Sequence, residues 1–356
     1  MIIFVLILGV IIIASSKFKG RNEFNAEYIS KDSTLPVKGI FVILILISHT
    51  KLFFPNALSG SLDEAYVRFQ GHIVQMVVAM FLFYSGYGIM EQIKKREFSY
   101  IKSMMTKRFP NLLLNYDIAV LFYIVLTICL RREITFTKII FALTAWDGIG
   151  NSSWFIFVTL CLYLLTALVF STTKRFTNKR YYIINIIVLT ALSVGLALLL
   201  KSAGKESWWY NTIVLFAVGF WYSYFKEPIE KFVMKNDLTY IITICIISIC
   251  YVLSYLHRGD SLLGYYLFGI AFIAAVVAVT MKLEIKSKLL NWFGEHVFSI
   301  YILQKIPMMI MQKIGFAQAH RYLFVILSIV ITCLMAEAYD IMFAKLSAKI
   351  WKPKKN

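Results

Sequence analysis

Apolar stretches of about twenty residues recur along the whole chain, at 36–54, 71–92, 111–130, 154–171, 182–200, 209–225, 238–256, 262–281, 296–314 and 321–343. Each is near the length at which a helix crosses a ~30 Å hydrocarbon layer. Within lipid the backbone N–H and C=O groups must find partners inside the protein, so repeated runs of this length dictate helices. The expected fold class is all-α, a polytopic membrane helical bundle of about 10–11 transmembrane helices. Composition agrees, because 60% of the 356 residues are apolar, 16% are charged and mean hydropathy is +0.73, too apolar for a soluble domain.

The eleventh span is Ile2 to Ala14, short for a crossing, which Lys17, Lys19 and Arg21 follow directly. A signal peptide carries its positive charge on the other flank, so this segment reads as a retained helix with its N-terminus outside. Residues 1–34 are then an extra helix and a basic cytoplasmic linker, 35–345 the main membrane domain, and 346–356 a basic cytoplasmic tail. Alternating the spans from that start places 26 of the 37 lysines and arginines inside, ten outside and Lys305 within a span. Cationic residues gather on the cytoplasmic side of membrane proteins, so this asymmetry accounts for the net charge of +18 without a nucleic-acid partner. Cys129, Cys161, Cys245, Cys250 and Cys333 all fall in apolar runs, without metal-type spacing to histidine, and read as packing residues.

The first core span carries the most informative pair. Lys38 and His49 are eleven positions apart, about three helical turns, which puts them on one face roughly 16 Å apart. Lys38 alone reads as a snorkelling anchor, and His49 alone reads equally as an interhelical hydrogen-bonding group or as a catalyst. Together they set a cation at the cytoplasmic mouth and an imidazole deep in the layer, and ionisable groups inside a membrane helix mark functional sites by default. A histidine there can take a proton from a hydroxyl during acyl transfer or carry the acyl group itself.

Other polar positions are secondary. Lys107 and Arg108 close a basic segment at 94–110, where they could meet donor phosphates beside Lys38. Ser85, next to Gly86, reads as a small-residue packing notch or a narrow point beside a tunnel. Trp154 suits an aromatic belt as well as a binding site, and Asp147 lies in a Gly-containing loop, 146–153, able to meet a carbohydrate. His72, at the expected outer start of the third helix, is a further candidate. Lys305 and Glu337 are expected to pair with each other. No Gly-x-Ser-x-Gly elbow, His-Glu-x-x-His helix or P-loop is present, so serine hydrolase, metalloprotease and nucleotide-driven pump have no positive support.

In family order these features resemble acyltransferase family 3, the integral-membrane acyltransferases of surface glycans. Lys38 and His49 match its basic-x10-His spacing, Phe81 to Tyr87 its Ser-Gly-Tyr segment, Trp154-Phe155-Ile156 its Trp-Phe-Leu helix opening, and Gly294 to Leu303 its late Ser-x-x-Ile-Tyr-Leu segment. Gln304 stands where the family often has a histidine. The resemblance implies transfer of an acyl group, usually acetyl, from cytosolic acyl-CoA to a hydroxyl of an extracytoplasmic carbohydrate. His49 is then the catalytic residue and Lys38, Lys107 and Arg108 face the donor, while Trp154, Asp147, Ser85 and His72 lie toward the acceptor path. The expected cofactor is acetyl-CoA as donor substrate, with no metal. The expected partners are the bilayer and a cell-surface glycan, with no nucleic acid and with homo-oligomers left open. The expected location is the cell membrane. The competing expectation is a polysaccharide exporter or flippase of the same family that transfers no acyl group.

Overall fold

The computed structural model describes residues 1–53, 60–171 and 179–351. Part of the basic run Lys174-Arg175 to Lys179-Arg180, which the sequence places at a cytoplasmic turn, and the last residues of the tail lie outside these. Of the described residues 82% are helical, which makes the fold all-α. In order, the elements are α1 (Ile2–Ser15), β1 (Ser16–Phe18), α2 (Lys31–Thr50), α3 (Ser61–Ser103), α4 (Phe109–Cys129), α5 (Phe136–Leu143), α6 (Trp154–Ser171), α7 (Lys179–Ser202) and α8 (Leu215–Val233). They continue with α9 (Asp237–Leu256), α10 (Leu262–Lys282), β2 (Leu283–Ile285), α11 (Lys288–Glu295), α12 (Val297–Leu303), α13 (Lys305–Lys313), α14 (Phe316–Ala319) and α15 (Arg321–Ile350).

Among the described residues, seven helical runs are long and apolar enough to cross a membrane. One of them, Ser61–Cys129, holds two arms, because Glu97 at φ 48°, ψ −136° breaks the helical path. A π turn, Met104–Arg108, then leads into α4, so the basic segment 94–110 is helical rather than a loop. Three expected spans miss the criterion for visible reasons, the first being α1, which at 14 residues is too short. Lys226, Glu227, Glu230 and Lys231 charge the end of α8, and the span 296–314 divides into α12 and α13 at Gln304. α3 begins at Ser61, ten residues before the expected span, so His72 is interior to a helix rather than at its start. α15 continues to Ile350, into the segment assigned to the tail.

α2 is the axis of the bundle. Ser30 caps it, its side chain accepting from the Ser33 N–H at 3.2 Å, and Asp32 adds the acidic first turn that favours a helix N-terminus. α2 lies directly on α11: a Cβ on Gly39 would stand 2.0 Å from the Leu290 carbonyl oxygen, and one on Gly294 would stand 2.1 Å from that of Leu35. A second contact of this kind joins α3 to α8, where a Cβ on Gly86 would come within 2.0 Å of the Phe216 carbonyl oxygen. Gly86 is thus the packing notch that its neighbourhood suggested.

Large residues such as Tyr116, Tyr123, Phe83, Phe216 and Phe324 fill the interior, while Leu6, Val10, Leu121, Val125, Leu253 and Leu256 face outward. An apolar exterior around a filled core is what lipid as solvent permits. All five cysteines are free, and Cys129, Cys245 and Cys250 lie on outer faces, so only Cys161 and Cys333 pack as expected. A small apolar thiol is tolerated on either side of a lipid-facing helix.

A two-stranded antiparallel ribbon, β1 with β2, was not expected. It pairs Ser16 with Ile285 and Phe18 with Leu283, and ties the end of α1 to the end of α10. Lys19 and Lys286 each reach Glu284 at 2.9 Å, and these bonds hold its carboxyl below the ordinary value of 4.5. A depressed carboxyl stabilises the fold above its unfolded value and loses that contribution as pH falls through its folded one. Protection of the amides in residues 16–30, each rate taken against the intrinsic rate at that pH, is therefore expected to fall as pH drops below about 4.5. Glu284→Gln should exchange fast at every pH; wild-type protection that is flat with pH would contradict the clamp.

Candidate functional site

A cavity of about 960 Å3 opens at the end of the bundle where α2 terminates. Ile45, Ser48 and His49 of α2 form one wall, and the segments around Trp146–Trp154 and Lys205–Trp209 form its rim. Tyr301 and Lys305 also line the cavity, near His49. The His49 and Tyr301 rings are 6.4 Å apart, and Nδ1 of His49 is buried with no hydrogen bond of normal geometry among the described residues. Gln304 is the side chain poised to pair with the ring, and Lys305 stands within electrostatic reach of it.

The rim is built to be rigid. Asn151 Oδ1 accepts from the Ile149 N–H at 2.8 Å, and its Nδ2 donates to the Tyr116 hydroxyl at 3.0 Å. These bonds bury Asn151, Ser152 and Ser153, leaving Asp147 exposed. Lys205 lies 4.0 Å from the Trp146 ring and 4.3 Å from that of Trp209, and it donates to the Trp146 carbonyl at 2.6 Å. With Trp154 and exposed Trp208, four tryptophans face one opening. Flat aromatic faces beside fixed polar groups are the surface on which a sugar ring can stack and hydrogen-bond.

The other end of α2 is cationic. The ammonium of Lys38 lies 5.5 Å from the Tyr84 ring centroid, and Arg108 is near enough to repel it. Arg108 donates to the Tyr100 hydroxyl at 3.0 Å and its guanidinium lies 4.9 Å from the Tyr163 ring centroid. The Tyr163 hydroxyl is 3.4 Å from Ser85 Oγ. Lys107, one residue before Arg108, is exposed. Between the two ends runs a chain of rings: Phe41 to Phe81 at 6.5 Å, Phe81 to Phe155 at 6.4 Å, and Phe155 to Tyr301 at 5.7 Å.

The structure thus gathers His49, Trp154 and Asp147 around one cavity, and brings Lys38, Arg108 and Ser85 into a separate group. His72 joins neither, because its ring stacks on Tyr255 at 4.4 Å and its Nδ1 meets the Arg68 carbonyl at 2.6 Å. The expected Lys305–Glu337 pair does not form. Glu337 accepts from Trp292 Nε1 at 2.9 Å and faces His296 Nε2 at 3.3 Å, while Asp340 holds the other nitrogen of His296. Histidine and tryptophan from the α11–α12 region occupy that face of α15 and leave Lys305 to the cavity.

Tyr301, Gln304, Lys305, Lys205 and the tyrosine clamp around Arg108 were not singled out from sequence as site residues. Tyr301 ends up beside Lys305 on the cavity wall although the two lie on different helices, α12 and α13, so residue spacing alone gave no signal for the pair.

By fold, the chain is a multi-pass membrane protein, with a histidine-bearing cavity at one end and converging cations toward the other. A family model described as an acyltransferase domain matches residues 37–337, nearly the whole chain, so the protein belongs to acyltransferase family 3 and is a membrane acyltransferase. No curated protein and no solved structure matches it.

Proposed function

We propose that the protein transfers an acyl group, acetyl by preference, from cytosolic acyl-CoA to a hydroxyl of a cell-surface carbohydrate outside the cytoplasm. The observation that carries this reading is the placement of His49 in a tryptophan-rimmed cavity while Lys38 and Arg108 converge near the opposite end of the same helix. A phosphate-bearing donor entering at Lys38 and Arg108 would need to extend roughly 16 Å along α2 to bring its thioester to His49. Lys107 adds positive charge at that entrance. His49 takes the acceptor proton or carries the acyl group, and Asp147 and the tryptophans hold the sugar. Ser85 narrows the donor side through Tyr163, and His72 flanks the acceptor approach without lining the cavity.

This arrangement goes with residence in the cell membrane, the cavity facing outward, the N-terminus outside and the C-terminus in the cytoplasm. The bilayer and the glycan are the partners; nucleic acid is not one, and self-association is left open. Lys38→Met and Arg108→Met are each expected to raise the KM for acetyl-CoA about tenfold, the scale of a lost charge-assisted contact, with smaller changes in the acceptor KM. Kinetics at varied donor concentration check this, and unchanged donor KM in both variants would remove the cations from the donor site. An exporter would instead move glycan while consuming no thioester.

A further inference from the structure

Of the three lysines lining the cavity, two are engaged: Lys51 donates to Gln70 Oε1 at 2.9 Å, and Lys205 is held by Trp146 and Trp209. Lys305 is different. It is half-buried, stands on the wall of the cavity that His49 also lines and within electrostatic reach of the ring, and its ammonium has no hydrogen bond, ion pair or ring contact among the described residues. The cavity's carboxylates, Asp147 and Glu206, are both exposed, on the rim segments. A lysine left without a counterion inside a membrane protein costs stability, and a site keeps such a group where negative charge arrives during function.

We propose that Lys305 is a catalytic residue that stabilises the oxyanion of the acyl-transfer step, an inference that rests on the O-acyltransferase reading above. As the acceptor oxygen bonds to the thioester carbonyl carbon, its proton passes to His49 and the carbonyl π pair moves onto oxygen. That oxygen becomes an anion facing the Lys305 ammonium. Collapse re-forms the C=O bond, breaks the C–S bond, and releases CoA thiolate, which takes the proton back from His49. The atoms and charges balance without any further reactant. A cation fixed where charge develops acts only on the transition state, and donors in this role commonly contribute 10²–10³ in rate. Tyr301, whose ring lies 6.4 Å from that of His49, lines the same cavity and has a buried hydroxyl with no hydrogen bond of normal geometry.

The test compares wild type, Lys305→Met and Lys305→Arg in bilayers, with acetyl-CoA and an accepting glycan. Lys305→Met is expected to lower kcat at least 100-fold while leaving both KM values within about threefold, and Lys305→Arg to recover part of the loss. Because methionine removes an unpaired charge, the Met variant should melt at a temperature equal to or above that of wild type, which a structural role for the lysine would not produce. Lys305→Met with full kcat, or with loss confined to the acceptor KM, would overturn the assignment while the transferase reading stands. The second of those outcomes would make Lys305 a recognition site for an anionic acceptor. A wild type that transfers no acyl group from acyl-CoA would overturn the transferase reading, and the Lys305 assignment with it.

Discussion

His49→Ala is expected to lower acyl transfer by about 10²–10⁴-fold, the range for removal of a positioned general base, and to more if the imidazole carries the acyl group. The fold should survive. Nδ1 of His49 makes no hydrogen bond of normal geometry and the ring borders a cavity that water can fill, so its removal costs the fold little beyond the pairing that Gln304 is poised to make. The variant is therefore expected to insert and melt like wild type, and its residual rate is read from single-turnover assays at saturating donor. Transfer within a few-fold of wild type would exclude His49 from the chemistry.

Gly39→Ala is expected to have the largest effect on the fold. The added carbon would stand 2.0 Å from the Leu290 carbonyl oxygen, a backbone atom that no rotamer change can remove. Overpacking against side chains typically costs 1–3 kcal/mol, and a backbone obstacle on the central helix should cost at least about that. Gly39 directly follows Lys38 and shares α2 with His49, so any folded fraction would have both ends of the site displaced. Thermal unfolding in detergent checks this, and an unshifted midpoint would mean that α2 and α11 do not pack backbone to backbone.

Most helices were legible because lipid leaves a chain few choices, and a run of twenty apolar residues has essentially one way to satisfy its backbone. The Lys38 and His49 pair was legible because both lie on α2, where spacing alone fixes the relation. Lys305 was misread for the opposite reason. Whether it meets Glu337 or the cavity depends on how α13 turns after Gln304 and on what else occupies α15, and the answer, His296 with Trp292, lies in a different stretch of chain. The convergence of Arg108 on Lys38 likewise depends on the turn at Glu97 and the π turn after it, which no apolar period announces. The ribbon of β1 and β2 joins segments more than 260 residues apart through backbone bonds and leaves no periodic trace in three-residue strands. The tryptophans at 146, 154, 208 and 209 were visible singly, but only the fold makes them a rim.

The central claim, that His49 governs transfer from a cytosolic thioester to an outer acceptor, is tested most directly by product balance. Purified protein in sealed bilayers is given acetyl-CoA on one face and glycan on the other, and free CoA and acetylated glycan are measured for wild type and His49→Ala. Equimolar release of CoA and acetyl-glycan by wild type alone, dependent on the presence of glycan, is the predicted result. Glycan crossing the bilayer with no CoA released, or equal CoA release by His49→Ala, would contradict it.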